Sequence, residues 1–226
     1  MIVLGITTSG PVEAAVVGDD RTATAAGNGQ ALSSLLDCIT SALGDSDTAL
    51  ADVGAVAVCT GPGSFTGLRI GVAFAKGLAQ ARVLPCVGVS AYDVVESGSR
   101  ARFPRAAIVT GKRDYYYARL RISADADVEY ARGGQGEISA AVERMAQAAG
   151  RPVALHGETG AVRSRSHAIG AASFASRARG ERARAVAQLG AVRLSEGAEA
   201  DWRRIAIDYG QRPNAVINWE ARRPSG

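Results

Sequence analysis

Residues 61–67 are the part of the chain whose types and spacing come nearest to ligand-binding chemistry, because three glycines and a serine stand between an apolar strand and a helix. Free backbone N–H groups at such a helix start can bind a phosphate or another anion. A phosphate-binding loop needs a lysine directly after its last glycine, where this chain has Leu68. The dinucleotide-binding pattern also fails, because Thr66 occupies its third glycine position.

Two interpretations of this segment stay open. The glycines and Pro62 fit a tight turn, and Ser64 or Thr66 is of the type that caps the start of a helix. The alternative is a contact with an anion or a nucleotide, made by Gly61, Gly63 and Ser64.

The helix predicted over 66–80 has little polar surface. Ile70, Phe74 and Leu78 recur at every fourth residue and predict an apolar ridge along this helix. A second ridge at the same spacing consists of small residues, namely Gly67, Gly71, Ala75 and Ala79. Because small side chains let another element approach the helix backbone closely, this ridge predicts close packing, either inside the fold or against a partner.

The order of the predicted elements repeats along the chain. Three strands, a helix, a strand and a helix fill about the first hundred residues, and the same order begins again near residue 104. The predicted strands are 2–7, 12–17, 21–26, 54–59, 85–89, 106–110, 115–122, a segment near 128, and 153–156; the predicted helices are 31–43, 66–80, 91–98, 138–149 and 180–190. The repetition predicts an α/β fold of two lobes, each with a mixed sheet and helices, at 1–103 and 104–226. A C-terminal segment is expected to pack back on the first lobe.

Residues Gly61 to Ala79 resemble, almost letter for letter, the signature of the TsaB family, also called YeaZ. Weaker similarity covers most of the chain, including 87–90, 110–117 and 209–216. The resemblance implies the actin/Hsp70/sugar-kinase (ASKHA) fold, which agrees with the predicted order of elements, and a role in threonylcarbamoyladenosine modification of tRNA. It also implies pairing with a TsaD-like subunit that transfers the threonylcarbamoyl group, joined by a small TsaE-like ATPase. Contact with tRNA would then be indirect, through this complex.

The contact that the resemblance implies is helical, between the helices predicted at 31–43 and 66–80 and the matching helices of the partner. The same face suits a homodimer when the chain is alone. The residues expected at this contact are Leu32, Leu35, Leu36, Ile39, Thr66, Gly67, Ile70, Gly71, Phe74 and Ala75.

The sequence contains no recognisable catalytic constellation. Nucleotide hydrolysis in this fold usually needs an acidic residue after the first strand, and family members commonly have Asp where this chain has Thr7. They often have His where this chain has Ala31, and its cysteines and histidines lack metal-ligand spacing. We therefore expect a non-catalytic subunit without metal or cofactor. The alternative is an independent enzyme of the same fold: an ATPase, a kinase or a glycoprotease-like peptidase.

The chain of 226 residues has a formal net charge of +4 and a pI of about 9.2, and nearly all of its positive charge is arginine. Arginines alternate with alanines between Arg163 and Arg193, which is typical of either an RNA-facing patch or the solvated face of a helix. No run of 18 apolar residues and no signal-peptide pattern is present, so the sequence predicts a cytoplasmic protein without a membrane span.

Overall fold

Two five-stranded sheets with the same topology organise the chain, in a computed structural model that describes residues 1–27, 31–97, 103–111, 114–162, 169–174 and 179–210. The first sheet consists of β1 (Val3–Thr7), β2 (Glu13–Val17), β3 (Thr22–Ala26), β4 (Ala55–Gly61) and β5 (Cys86–Ser90). Its order is β3-β2-β1-β4-β5, with β1 antiparallel to β2 and parallel to β4. Every residue of β1 is buried, because helices cover both faces of the sheet at its centre.

The second sheet consists of β6 (Arg105–Thr110), β7 (Tyr116–Arg121), β8 (Glu129–Gly133), β9 (Val153–Gly157) and β10 (Ile169–Phe174). Its order is β10-β9-β6-β7-β8, with β6 antiparallel to β7 and parallel to β9. Each sheet therefore has an antiparallel meander of three strands, followed by two strands added in parallel on the other side. The structure confirms the duplication predicted from the order of elements.

Within the described ranges, five helices pack on these sheets: α1 (Ala31–Asp45), α2 (Phe65–Arg82), α3 (Ala91–Glu96), α4 (Gln135–Ala149) and α5 (Glu181–Ser195). α1 and α2 cover one face of the first sheet, and α4 covers the outer face of the second sheet. α3 lies between the two sheets and contacts strands of both. Short 3₁₀ turns lie at Leu50–Asp52, Thr159–Ala161 and Trp202–Arg204.

α5 follows the second sheet in sequence but packs on the inner face of the first. The contact is close because small residues face each other. A Cβ atom added to Gly5 of β1 would lie 2.3 Å from the carbonyl oxygen of Ala183, and one added to Gly190 would lie 2.4 Å from the Cβ of Ala57. The last described residues, after α5, return to α2 and pack Trp202, Ile205 and Ile207 against the core of the first sheet.

The predicted elements agree with the observed ones to within a few residues, with three larger differences. α5 ends at Ser195 rather than at 190. α4 begins at Gln135 rather than at 138, and β10 has no counterpart among the predicted strands. The sequence of β10, Ile-Gly-Ala-Ala-Ser-Phe, has few β-branched residues, so it lacks the composition by which a strand is recognised.

Candidate functional site

The loop that precedes α2 is crowded by backbone of the same chain. The N–H of Ser64 donates to the carbonyl oxygen of Ser9 at 2.7 Å, and the Oγ of Ser64 caps α2 by accepting from the N–H of Gly67 at 3.3 Å. Gly61 has φ +107°, and a Cβ there would lie 2.2 Å from the carbonyl oxygen of Asp208. The glycines thus allow close approach of carbonyl oxygens, which repel an anion. The side chain of Ser64 does line a cavity, described next, so an anion contact at Gly61, Gly63 and Ser64 stays a prediction.

A cavity of about 310 Å³ lies between the two sheets, at the carboxyl ends of β1 and β6. Its polar lining comes from both lobes and consists of Thr7, Ser9, Ser64, Thr110, Glu158 and Arg182. The guanidinium of Arg182 pairs with Glu158 at 3.3 Å, and the hydroxyls of Thr7 and Ser9 lie 3.1 Å apart. We call this cavity the interlobe cleft. Among its described lining residues, the arginine already has a carboxylate partner, so this pair contributes little net charge to the cleft.

A buried carboxylate that the sequence analysis did not single out lies beside the cleft. Glu13 of β2 is 4% exposed and stands opposite Thr7 in the register of the sheet. One oxygen, Oε2, accepts from the backbone N–H groups of Arg182 at 3.0 Å and of Ala183 at 3.2 Å, at the first turn of α5. Burial raises the pKa of Glu13, while these hydrogen bonds and the charge of Arg182 lower it, and burial has the larger effect. Its signal in the sequence is a lone acidic residue in an apolar strand.

The last residue of β1 therefore carries a hydroxyl, and the carboxylate opposite it, Glu13, accepts hydrogen bonds from a helix. Thr7 is buried and shares a hydrogen bond with Ser9, so it offers no charge to a metal ion. The described residues include no group of three or more His, Cys, Asp or Glu side chains that could hold a metal. Cys59 lines the cleft, but burial raises the pKa of its thiol, which keeps it from acting as a nucleophile at neutral pH.

The predicted partner residues divide into two groups. Leu35 and Ile39 are buried under α1, in the core that α1 shares with the first sheet, and Gly67, Gly71 and Ala75 are buried along α2. The close approach predicted for the small ridge is made by this chain: a Cβ on Gly71 would lie 2.2 Å from Oγ1 of Thr8. Leu35, Ile39 and Ala75 pack in the core of the first sheet, and the loop after β1 occupies the space beside Gly67 and Gly71.

The second group is accessible from outside. Leu36 is 49% exposed and Thr66 is exposed, while Ile70 and Phe74 are partly exposed and pack against the core of the first lobe. Phe65, which was not among the predicted residues, is 56% exposed, and its ring lies 4.8 Å from that of Tyr209. Phe65 lies nine residues before Phe74, on the opposite side of α2, so it belongs to a different surface. We call the other four residues, Leu36, Thr66, Ile70 and Phe74, the helical face. The side chain of Leu32 lies outside the described residues.

The described arginines of α5 are paired with acids of the same chain. Arg182 pairs with Glu158, Arg184 with Glu181 at 3.3 Å, and Arg193 with Asp93 at 2.6 Å. These pairs favour the interpretation of this segment as a helix face over an RNA-facing patch. Residues 163–168 and 175–178 of the arginine-rich stretch lie outside the described part of the chain. Over the described residues, none of the helices combines the length and the apolar character that crossing a membrane requires.

Comparisons with known proteins point in one direction. The family model described as TsaD, tRNA N6-adenosine threonylcarbamoyltransferase, matches residues 30–177. The tRNA threonylcarbamoyladenosine biosynthesis protein TsaB of Escherichia coli K12 is 43% identical over 65 residues, which are 29% of this chain and 28% of that protein. The Bacillus subtilis 168 protein of the same name is 38% identical over 65 residues, with the same two coverages. The match thus spans little more than a quarter of these curated relatives.

Two solved structures share the fold over nearly their whole length. YeaZ from Pseudomonas aeruginosa has a TM-score of 0.67 at 20% identity, covering 92% of this chain and 99% of that chain. A protein described as similar to peptidase YEAZ, from the same organism, has a TM-score of 0.68 at 20% identity and covers 93% and 99%. The likeness confirms the predicted ASKHA-like fold with two mixed sheets and helices.

Proposed function

The chain belongs to the family described as TsaD, tRNA N6-adenosine threonylcarbamoyltransferase, and we propose that it serves as a non-catalytic partner subunit in the biosynthesis of threonylcarbamoyladenosine on tRNA. The resemblance to the TsaB (YeaZ) family is confirmed by the curated relatives named TsaB. Within this family we assign the chain the role of a partner and not that of the transferase.

This assignment rests on the acidic groups in and beside the interlobe cleft, which are already bonded within the chain. A transferase or ATPase of this fold needs free acidic groups to organise a metal-bound nucleotide. Here Thr7 ends the first strand, Glu13 accepts two N–H bonds from α5, and Glu158 is paired with Arg182. Glu13 of the first sheet and Glu158, which follows the second, thus both hold the start of α5, which supports a structural role.

The helical face is the surface that we propose for the partner. Leu36 of α1 exposes an apolar side chain that a monomer gains nothing by presenting to water, and Ile70 and Phe74 of α2 are partly exposed. A TsaD-like subunit with a corresponding pair of helices would bury them. When the chain is alone, a second copy would cover the same face. A TsaE-like ATPase would join the pair, and tRNA would be contacted through the assembled complex.

The experiment is a binding titration between this chain and the TsaD protein of the same organism, by calorimetry and by size-exclusion chromatography. We expect a one-to-one complex that Leu36→Glu weakens by about 30-fold or more, because a charge is then buried in the contact. Thr66→Glu tests α2 independently, at a helix start that tolerates an acidic side chain.

The matched control is Val192→Glu, which adds the same charge to a residue of α5 that is 51% exposed and lies off the helical face. It should leave the affinity unchanged. If all three variants weaken the affinity equally, then the helical face is not the surface that binds the partner. Absence of a complex with the wild-type chain, with ATP and TsaE also present, would contradict the partner role itself.

A further inference from the structure

A second cavity, of about 400 Å³, lies where the second sheet meets the C-terminal segment. It shares no lining residue with the interlobe cleft or with the helical face. Three of the six tyrosines of the chain surround it, together with one acidic and one basic side chain; the lining is Tyr92, Tyr117, Tyr130, Ala131, Arg132, Asp208 and Gly210. We call it the tyrosine cavity.

The aromatic wall of the tyrosine cavity is held in place. Tyr92 and Tyr117 are buried, and the guanidinium of Arg119 lies 5.2 Å from the centre of the Tyr92 ring. Arg119 is itself fixed by Asp93 at 2.7 Å. Tyr130 is different, since it is 63% exposed and its ring centre lies 5.8 Å from that of Tyr92. The cavity therefore has a rigid aromatic floor and one accessible ring at its mouth, which suits stacking.

The polar groups of the cavity are also positioned by the backbone. The N–H of Asp208 donates to the carbonyl oxygen of Thr60 at 2.8 Å, and Oδ1 of Asp208 accepts from the N–H of Gly210 at 2.8 Å. Nη1 of Arg132 donates to the carbonyl oxygen of Gly210 at 3.2 Å. Gly210 has φ +64° and is pressed so closely on Tyr117 that an added Cβ would lie 2.5 Å from the ring. An acceptor and a donor are thus both presented beside aromatic surface.

We propose that the tyrosine cavity binds a nucleobase. A flat heteroaromatic ring stacks on tyrosine, its amino group donates to the carboxylate of Asp208, and its ring nitrogen or carbonyl oxygen accepts from Arg132. The carboxylate disfavours an anion such as free phosphate, and the guanidinium disfavours a simple organic cation. The volume lies at the small end of the range for ligand sites, which fits one base with its ribose. The proposal does not rest on pairing with another subunit.

The test uses the full chain and two sources of the same base. Adenosine, and a short single-stranded oligoadenylate, are titrated by calorimetry at millimolar concentration. We expect Tyr130→Ala to weaken binding by roughly 5- to 150-fold, the loss that corresponds to one base–aromatic stack. Tyr130→Phe keeps the ring and should bind like the wild type. Because Tyr130 is exposed, both variants should fold. N6,N6-dimethyladenosine, which lacks the amino protons, should bind more weakly than adenosine.

Each outcome decides a point. Binding of adenosine with the variant pattern above supports a free nucleoside as the ligand, and an oligonucleotide that binds more tightly with the same pattern supports an unpaired base of RNA. No binding of either ligand overturns the proposal, and so does binding that Tyr130→Ala leaves intact. Stronger binding of tetramethylammonium, lost in Asp208→Asn, would overturn it in favour of a cation site.

Discussion

Replacing Gly71 by alanine should destabilise the fold of this chain itself, because the space beside Gly71 is filled by Thr8. The new Cβ would lie 2.2 Å from Oγ1 of Thr8 and 3.2 Å from its Cβ and Cγ2. Overpacking of this kind costs about 1–3 kcal/mol, which the higher helix propensity of alanine offsets by up to about 1 kcal/mol. We expect a net loss of about 1–2 kcal/mol, or a fall in Tm of about 2–8 °C.

Thr8 allows the cause of this loss to be tested. Its Oγ1 is buried without a hydrogen-bond partner, so Thr8→Ala removes an unsatisfied polar atom at the cost of one buried methyl group. These two effects oppose each other, so we expect the free energy of unfolding of Thr8→Ala to lie within about 1 kcal/mol of that of the wild type. In the double variant the clash with Oγ1 is gone, so at least half of the loss in Gly71→Ala should be recovered.

The measurement is denaturant unfolding of the wild type, the two single variants and the double variant. Gly77→Ala is the matched control, because a Cβ there meets nothing within 4 Å on the same helix. It should be neutral or stabilising by up to about 1 kcal/mol. Two results would contradict this reasoning: Gly71→Ala as stable as Gly77→Ala, or stability losses of the single variants that simply add in the double variant. Either would mean that Thr8 does not fill the space beside Gly71, and that this space is free for a partner.

The remaining predictions concern the join between the lobes and the cleft. Gly5→Ala should cost about 1–3 kcal/mol or more in urea unfolding, because its Cβ would meet the backbone of α5 at 2.3 Å; stability equal to that of Gly77→Ala would show that α5 packs less closely. The raised pKa of Glu13 means that the protonated side chain stabilises the fold below the unfolded pKa, and that this contribution is lost as the pH rises through the folded pKa. As the pH rises through the folded pKa, the free energy of unfolding of the wild type should therefore fall relative to that of Glu13→Gln. If the two free energies change with pH in parallel, then burial does not raise the pKa of Glu13. Cys59 should react with an aromatic disulfide at neutral pH only as fast as the chain unfolds, since it is buried and its pKa is raised; fast labelling of the folded chain would count against this. The isolated chain should hydrolyse ATP no faster than its Arg182→Gln variant, and a measurable difference would favour the independent-enzyme alternative.

Much of the fold could be predicted because its signals are local. The continuous apolar runs of the buried strands, the period of Leu35, Ile39 and Ala42 in α1 and the glycines before α2 all reflect neighbours in sequence. What could not be predicted depends on residues far apart in the chain. Thr8 meets Gly71, Gly5 meets Ala183, and Glu13 caps a helix that begins 168 residues later. The small ridge was recognised as a place of close approach, but composition alone does not say which element approaches.

The contacts between the lobes bear on function in a way that the cleft alone does not. Two-lobed enzymes close around their substrates, and closure needs an interface that can slide or hinge. In this chain Asp93 of α3 pairs with both Arg119 of the second sheet and Arg193 of α5, the latter a partly exposed pair. Glu96 of α3 also pairs with Arg119, and both of these side chains are largely withdrawn from water. Because breaking a buried ion pair leaves an uncompensated charge, each such pair resists separation of the lobes. A body fixed in this way presents its outer helices in one arrangement, which lowers the entropy that a partner must remove on binding. Rigidity at the centre and exposed apolar residues on α1 and α2 are therefore two parts of the same argument for a binding subunit.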